Sequence, residues 1–292
     1  MKAFKAFALM FVVIFIWIFA LPLLFLTSII WLPLGALLII SLTTVSFLIQ
    51  LHHAENITVD GVTRKLVANV PLESWFKGYD VTDSKPTGFI IAHPHGILCC
   101  GMVLYHFRKR TDTVFAVAPI LFYIPVFGWL ARDLGLIPAS DFMIRKALKE
   151  GHTVIMYVGG VEELIAHEKR ELYIEKRWGY LKIIRDLRCK VTCAWTKGEF
   201  DTFFLPPMPM LRLRQRVAKI LGFGIIFPWV FGWNSIWVPR RIPLKVSLFT
   251  LEQSNSSRLE DLKQWYHQGL RHIIGMSERS ERTRLENFLR LD

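Results

Sequence analysis

The sequence predicts an α/β protein in which a mixed, mostly parallel sheet is flanked by helices and follows an N-terminal helical hairpin in the membrane. Two observations predict this fold. From residue 88 onward, short apolar runs alternate with amphipathic segments, which is the pattern of strands and their covering helices. Before that, no Asp, Glu, Lys or Arg occurs between Lys5 and Glu55. We therefore expect a membrane anchor over residues 1–52 and one α/β domain over residues 53–292.

The uncharged stretch from Ala6 to Gln50 is long enough to cross a bilayer twice. As one helix it would extend roughly 65–70 Å, about twice the hydrocarbon thickness. Pro22 and Pro33 lie towards its middle, where proline bends a helix. A transmembrane or re-entrant hairpin that turns near residues 27–33 fits best, and one span with an interfacial helix or a cleaved signal peptide are the alternatives. Both ends of a hairpin share one side, so the positive-inside rule places the basic remainder in the cytosol.

The net charge of +12 is explained best by an anionic membrane surface, and ordinary solubility is the plain alternative. Between Thr202 and Leu251 there are seven Lys or Arg residues and no acid, among many Trp, Phe and Pro residues. This mixture suits lipid headgroups or an anionic thioester carrier. No nucleic-acid-binding module is recognisable, so a nucleic-acid partner is not expected.

The secondary structure beyond residue 88 is predicted from apolar periodicity, caps and stops. Ser140 is a good N-cap, Gly151 a good helix stop, and Pro125 lies near the start of a helix. Residues 52–85 are expected to be irregular, apart from a short amphipathic piece at Leu72–Phe76. The predicted strands are Gly88–Ala92, Thr113–Ala118, Leu134–Pro138, Thr153–Val158, Lys190–Thr196 and Lys245–Leu251. The predicted helices are Ile97–Arg108, Ile120–Asp133, Asp141–Lys149, Trp178–Leu187 and Leu259–Ile274.

Three polar clusters each follow a predicted strand. They are the segment 93–96, which reads His-Pro-His-Gly, the segment 159–163 with its two glycines and two glutamates, and Gly198 with Glu199. Active sites of open α/β sheets lie beyond the carboxyl ends of strands. We therefore expect the three clusters to converge on one edge of the sheet.

The His-Pro-His-Gly segment is the strongest candidate for chemistry. Proline stiffens the turn, glycine permits close approach of a substrate, and a histidine held there can serve as a general base. Two structural histidines are the plain alternative. A metal site would need further ligands, of which Glu163 and Glu199 are candidates, so a metal is not expected but stays open. A Cys99 or Cys100 nucleophile is a weaker alternative, and no GxSxG serine motif is present.

Three motifs in order make the chain resemble the diacylglycerol acyltransferase type 2 family, which includes monoacylglycerol and wax-ester acyltransferases. They are His93-Pro94-His95-Gly96-Ile97, then Val158-Gly159-Gly160-Val161-Glu162-Glu163, and then residues 177–182 with Lys197-Gly198-Glu199-Phe200-Asp201. The short Tyr-Phe-Pro-type motif of the family is not evident ahead of the histidines. The wider superfamily has an aspartate five positions after its histidine, and Leu98 and Cys100 stand there in this chain.

The resemblance implies an acyltransferase-like fold and transfer of an acyl group from acyl-CoA, as a substrate, to a neutral lipid hydroxyl, with no cofactor. It implies His95 as the favoured base, His93 as its alternative or support, and Glu163 as the orienting acid. The residues expected to bind substrate or stabilise the oxyanion are Gly96, Gly159, Gly160, Arg177, Lys182 and Glu199.

Each supporting residue also has a plain structural interpretation. Glu163 could cap a helix, Arg177 and Lys182 could form a solvated helix face, and Glu199 could hold a turn.

Diacylglycerol is the first acceptor expected, giving triacylglycerol, with monoacylglycerol or a wax alcohol next. The expected location is the endoplasmic reticulum membrane, with the catalytic domain cytosolic and lipid droplets as a second site. A homo-oligomer is compatible with the sequence, which does not decide it. The alternative from another functional class is a non-catalytic membrane or lipid-droplet protein with this fold.

Overall fold

A computed structural model describes residues 56–82, 85–108, 112–124, 127–170, 172, 178–207, 209–221, 230–235, 238–252, 254, 256 and 258–277, with isolated helical positions at 41, 44, 45 and 48. The predicted membrane hairpin therefore lies outside the described residues almost entirely. Among the residues that are described, none belongs to a helix with the length and apolar character that a membrane span requires.

The described chain forms one sheet of seven strands. They are β1 Gly78–Val81, β2 Phe89–His93, β3 Thr113–Val117, β4 Leu136–Pro138, β5 Thr153–Tyr157, β6 Val191–Lys197 and β7 Pro243–Leu251. Their order in space is β1-β7-β6-β2-β5-β3-β4. Strands β2 to β6 run parallel to one another, whereas β7 pairs antiparallel with β6 and parallel with β1. The prediction of a mixed, mostly parallel sheet is confirmed.

Helices cover both faces of this sheet, as its apolar strands require. They are α1 Val62–Ala68, α2 Cys100–Arg108, α3 Phe127–Asp133, α4 Asp141–Lys149, α5 Gly160–Ile165, α6 Gly179–Leu187, α7 Leu211–Leu221 and α8 Leu259–Ser277. Short 3-10 helices lie at Leu72–Trp75, Pro119–Tyr123, His167–Lys169, Glu199–Asp201 and Trp233–Ser235.

Strand β2 lies at the centre of the sheet and is buried along its whole length. Phe89 and Ile91 face the layer of α4, α6 and α8, while Ile90 and Ala92 face the layer of α2. This alternation follows from the period of two in a strand. It directs His93, which is two residues after Ile91, towards α8.

Most predicted elements are confirmed to within a few residues, including the Ser140 cap, whose side chain accepts a hydrogen bond from the Met143 amide at 3.3 Å. The helix predicted over Ile120–Asp133 is instead split into a 3-10 helix and α3. Ile124, which precedes Pro125, is extended. The reason is steric, because a proline disfavours the helical conformation of the residue before it.

The expectation of an irregular segment over residues 52–85 is wrong in two places. Helix α1 buries Arg64 and exposes Val62 and Leu66, so its pattern is the reverse of an ordinary amphipathic helix. Strand β1 has only four residues, none fully buried, and pairs with β7 alone. Neither element carries the apolar periodicity on which the prediction depended.

Candidate active site

The three polar clusters meet at one edge of the sheet, as predicted. Strand β2 lies between β5 and β6 and runs parallel to both. The histidine segment leaves its carboxyl end, the Gly159–Glu163 segment leaves β5, and Glu199 follows β6. The central position of β2 therefore brings one glutamate to the histidine segment from each side.

His93 is fully buried at the end of β2. Its Nε2 lies 2.6 Å from the hydroxyl of Tyr266 on α8. Burial, followed by the charge on neighbouring His95, lowers the pKa of His93 to about 3. A ring with so low a pKa is neutral at physiological pH and is a weak proton acceptor. These properties favour the prediction that His93 supports the site over the alternative that it is the general base.

His95 is only half-buried and follows the cis His93–Pro94 bond. Its Nδ1 lies 2.9 Å from the Gly96 carbonyl oxygen, which can only accept, so Nδ1 carries the ring proton in this hydrogen bond. The neutral ring then has its basic lone pair on Nε2. The ring also packs edge-on against Tyr157, at 5.3 Å between ring centroids. With Nδ1 protonated, Nε2 is the nitrogen of the neutral His95 ring that can accept a proton.

Glu163 lies buried beneath this loop. Its Oε1 accepts a hydrogen bond from the backbone amide of His95 at 2.5 Å. A Cβ on Gly159 would stand 1.7 Å from the other carboxylate oxygen, so only glycine leaves room for this side chain. The carboxylate therefore holds the main chain that carries the proposed base. Its predicted contribution as the acid that orients the imidazole stays a prediction.

Glu199 holds the backbone just beyond the His-Pro-His-Gly segment, where α2 begins. Its two carboxylate oxygens accept the backbone amides of Cys100 and Gly101 at 2.7 and 2.9 Å, at the first turn of α2. A Cβ on Gly96 would stand 2.4 Å from Glu199 Oε1. Burial raises the pKa of Glu199 to about 7, although both amide hydrogen bonds act to lower it. This geometry matches the plain interpretation that Glu199 holds a turn, and its role in substrate binding stays a prediction.

The remaining candidate residues are less well placed. Arg177 lies outside the described residues, and Lys182 is exposed in the first turn of α6. Gly160 opens α5 with a φ of +56°, a conformation that suits glycine. Within the described part of the chain, no group of three or more His, Cys, Asp and Glu residues has the arrangement of a metal site.

The cysteine alternative is not supported. Both Cys99 and Cys100 are buried, and burial together with the nearby Glu199 raises the pKa of each thiol well above its ordinary value. The thiolate is the nucleophilic form, so neither side chain is activated for attack.

Sequence reasoning missed Tyr266 and Tyr157, the aromatic partners of the two histidines. Tyr266 is 173 residues from His93 and belongs to an amphipathic helix, where a tyrosine gives no sign of its partner. Tyr157 is the last residue of β5 and was part of an apolar run. The strand order brings Tyr157 to the site, and the packing of α8 on the sheet brings Tyr266 there.

Comparison with known proteins supports the resemblance that the motifs carry. No protein-family model matches the chain. The chain is 22% identical over 238 residues to diacylglycerol O-acyltransferase 1 of Eremothecium gossypii, over 73% of this chain and 51% of that protein. The chain thus spans about half the length of this curated relative.

A solved structure of the 1-acyl-sn-glycerophosphate acyltransferase PlsC from Thermotoga maritima aligns with 96% of this chain and 99% of that chain, at 15% identity and a TM-score of 0.48. The sequence similarity to the curated relative, over 73% of this chain, confirms the resemblance to acyltransferases.

Proposed function

We propose that this protein is an acyltransferase that transfers a fatty acyl group from acyl-CoA to the hydroxyl of a glycerolipid, with diacylglycerol as the first candidate acceptor. The observation that carries the proposal is the state of His95. Its backbone amide is held by Glu163 and its Nδ1 by the Gly96 carbonyl. The ring is thereby oriented with its basic nitrogen, Nε2, on the side away from that carbonyl.

The reaction needs no covalent enzyme intermediate, because a thioester is already activated. His95 Nε2 removes the proton of the acceptor hydroxyl as its oxygen attacks the thioester carbonyl carbon. The new C–O bond forms, the C–S bond breaks, and the protonated imidazole returns the proton to the departing thiolate. General base catalysis of this kind contributes about 10²–10⁴-fold.

The supporting residues have distinct proposed roles. Neutral His93 anchors the strand end to α8 through Tyr266. Backbone donors near Gly96 and Gly159 are candidates for stabilising the oxyanion. Arg177 and Lys182 are candidates for the anionic groups of CoA. Membrane lipid would surround the enzyme, at the endoplasmic reticulum or at lipid droplets.

Replacement of His95 tests the proposal directly. In membranes supplied with labelled acyl-CoA and diacylglycerol, His95→Ala should lower product formation by at least about 10²-fold at unchanged protein level. The matched control is His152→Ala, since His152 lies outside the site and contacts Glu150 on the surface. Wild-type turnover by the double variant His93→Ala/His95→Ala would overturn the scheme.

The acceptor is identified by a panel of diacylglycerol, monoacylglycerol and a long-chain alcohol with one labelled acyl-CoA. Ester formed from diacylglycerol above the others supports the first candidate. Turnover confined to another acceptor would reassign the substrate and keep the chemistry. Absence of turnover with every acceptor would favour the non-catalytic membrane protein.

A further inference from the structure

Helix α7, Leu211–Leu221, exposes two of its large apolar side chains. Its exposed face carries Leu213 and Val217, which are 51% and 37% exposed. Its inner face carries the half-buried polar side chains of Arg214 and Gln215 beside Leu211 and the buried Ala218. A surface helix of a soluble domain normally buries its apolar stripe. The outward apolar pair is therefore the feature that needs explanation.

The inward polar pair is explained by the end of α5. Arg214 donates to the carbonyl oxygen of Ile165 at 3.2 Å, and Gln215 donates to that of Glu162 at 3.4 Å. The Glu162 carbonyl oxygen also accepts the Ala166 amide at 3.2 Å, whereas the carbonyl of Ile165, the last residue of α5, has no donor within the helix and is satisfied by Arg214. This contact fixes α7 on the segment that carries Glu163. It gives no reason for an apolar outer face.

Helix α7 shares a small apolar cluster with the active-site loop. Ala218 of α7 packs with Ile97, which follows the His-Pro-His-Gly turn, and with Phe203 and Val230. On this cluster the neighbouring residues Phe204 and Phe231 form an antiparallel bridge, and both are exposed, Phe204 by 54%. A second pair of large apolar side chains thus faces outward beside the site.

Within the segment 202–251 all charged side chains are basic, and the acid just before it, Asp201, is paired with Arg170. Arg212 and Arg216 are exposed and alternate with Leu213 and Val217 on the outer face of α7. No Asp or Glu occurs between Thr202 and Leu251. Arg side chains beside exposed apolar groups, without acids, are typical of helices that lie in the headgroup region of anionic bilayers. A protein partner of ordinary composition would not require this lack of acids.

We propose that the α7 surface, defined as Phe204, Arg212, Leu213, Arg216, Val217 and Phe231, docks onto an anionic lipid bilayer. Its apolar side chains enter the boundary between headgroups and acyl chains, and its arginines bind the lipid phosphates. Because the underlying cluster includes Ile97, docking sets the histidine loop next to the bilayer. The residues of this surface lie outside the N-terminal apolar segment of the sequence, and the proposal does not depend on the proposed acyl transfer.

Fluorescence of the full chain reconstituted in vesicles tests this surface without an activity assay. An environment-sensitive probe is attached at Leu213→Cys or Phe204→Cys, with the unsubstituted chain giving the background from native cysteines. The vesicles contain phosphatidylcholine with or without phosphatidylserine. We expect a blue shift of the probe emission, and quenching by lipids brominated in their acyl chains, both stronger with phosphatidylserine.

Matched controls are probes at Leu66→Cys on α1 and Phe142→Cys on α4, which are 63% and 56% exposed. These should show neither the shift nor the quenching. Equal quenching at the α7 and control positions, or none at the α7 positions, would overturn the proposal. Protection of the probe by acyl-CoA alone, without lipid quenching, would also overturn it and would assign the surface to the acyl donor.

The charge component has its own test. The double variant Arg212→Glu/Arg216→Glu should abolish the increase in quenching caused by phosphatidylserine, because the surface then repels anionic headgroups. Arg185→Glu on α6, an exposed arginine away from the α7 surface, should leave that increase unchanged. An unchanged response in the double variant would contradict the lipid assignment.

Discussion

At the scale of single residues, the hydrogen bond between His93 and Tyr266 ties the end of β2 to helix α8. Both side chains are completely buried, and burial raises the pKa of Tyr266 well above its ordinary value, so its hydroxyl stays protonated. In Tyr266→Phe the ring still fills its space, but His93 Nε2 loses this partner. We expect kcat to fall about tenfold or more because small misplacements of catalytic groups are costly. The KM for acyl-CoA should change little.

Tyr180→Phe is the matched control for this prediction. Tyr180 packs edge-on against Tyr266, with ring centroids 5.4 Å apart. Its buried hydroxyl makes no hydrogen bond within the described chain, so its removal should leave kcat unchanged. Steady-state kinetics of both variants decide the matter. Equal losses would mean that Tyr266 contributes packing alone.

At the scale of elements, the buried guanidinium of Arg64 joins α1 to α2 and β3. It donates to the carbonyl oxygens of Val59, His106 and Thr113 at 2.9, 3.2 and 2.8 Å. Burial lowers its pKa to about 10, so it remains charged at neutral pH. Arg64→Met keeps the aliphatic volume and leaves these acceptors unsatisfied. We expect a loss of about 3 kcal/mol in the free energy of unfolding, measured by thermal unfolding of the full chain in lipid nanodiscs.

The neighbouring substitution Lys65→Met provides the comparison within the same helix. Lys65 is exposed and lies 3.5 Å from Asp60, a geometry that contributes little to stability. Lys65→Met should therefore leave the melting temperature almost unchanged. A similar shift for both variants would show that the buried hydrogen bonds of Arg64 are not a main support of α1.

At the scale of the whole molecule, buried titratable groups make stability depend on pH in two opposing ways. Burial lowers the pKa of His93 and His106 to about 3, so the unfolded chain binds more protons and stability falls as pH drops below 6.5. The pKa of Glu199 is raised to about 7, so the folded chain binds more protons and stability rises as pH drops from 7 towards 4.5. On acidification from about pH 7.5 to pH 5, each histidine lowers the free energy of unfolding by roughly 2 kcal/mol, and Glu199 raises it by a similar amount. We expect a net loss of roughly 2 kcal/mol from these three groups.

His106→Asn isolates one histidine. The amide can retain a hydrogen bond to Thr113, whose Oγ1 lies 2.8 Å from His106 Nδ1, but it does not titrate. The loss in stability on acidification should therefore shrink by roughly 2 kcal/mol. An unchanged dependence in His106→Asn would refute the assignment of this histidine as neutral and buried.

The sequence by itself determined the class of fold and the three segments that form the site. Apolar periodicity predicts strands that are buried on both faces, such as β2 and β5, and helices with one apolar stripe, such as α8. It also places polar clusters at strand ends, so the convergence of Glu163 and Glu199 on the histidines followed from the parallel strands alone. It could not find α1 or β1, because their local patterns are reversed or half-exposed.

Only the tertiary structure decided which histidine is buried and what each carboxylate holds. The strand order β6-β2-β5 makes β2 central, which buries His93, lowers its pKa and pairs it with Tyr266 on α8. It also puts Glu163 on the backbone amide of His95 and Glu199 on that of Cys100, at the start of α2. Burial and partners depend on contacts between residues far apart in the chain. Local sequence patterns contain no information about such contacts, so they do not show that His93 is buried and His95 only half-buried.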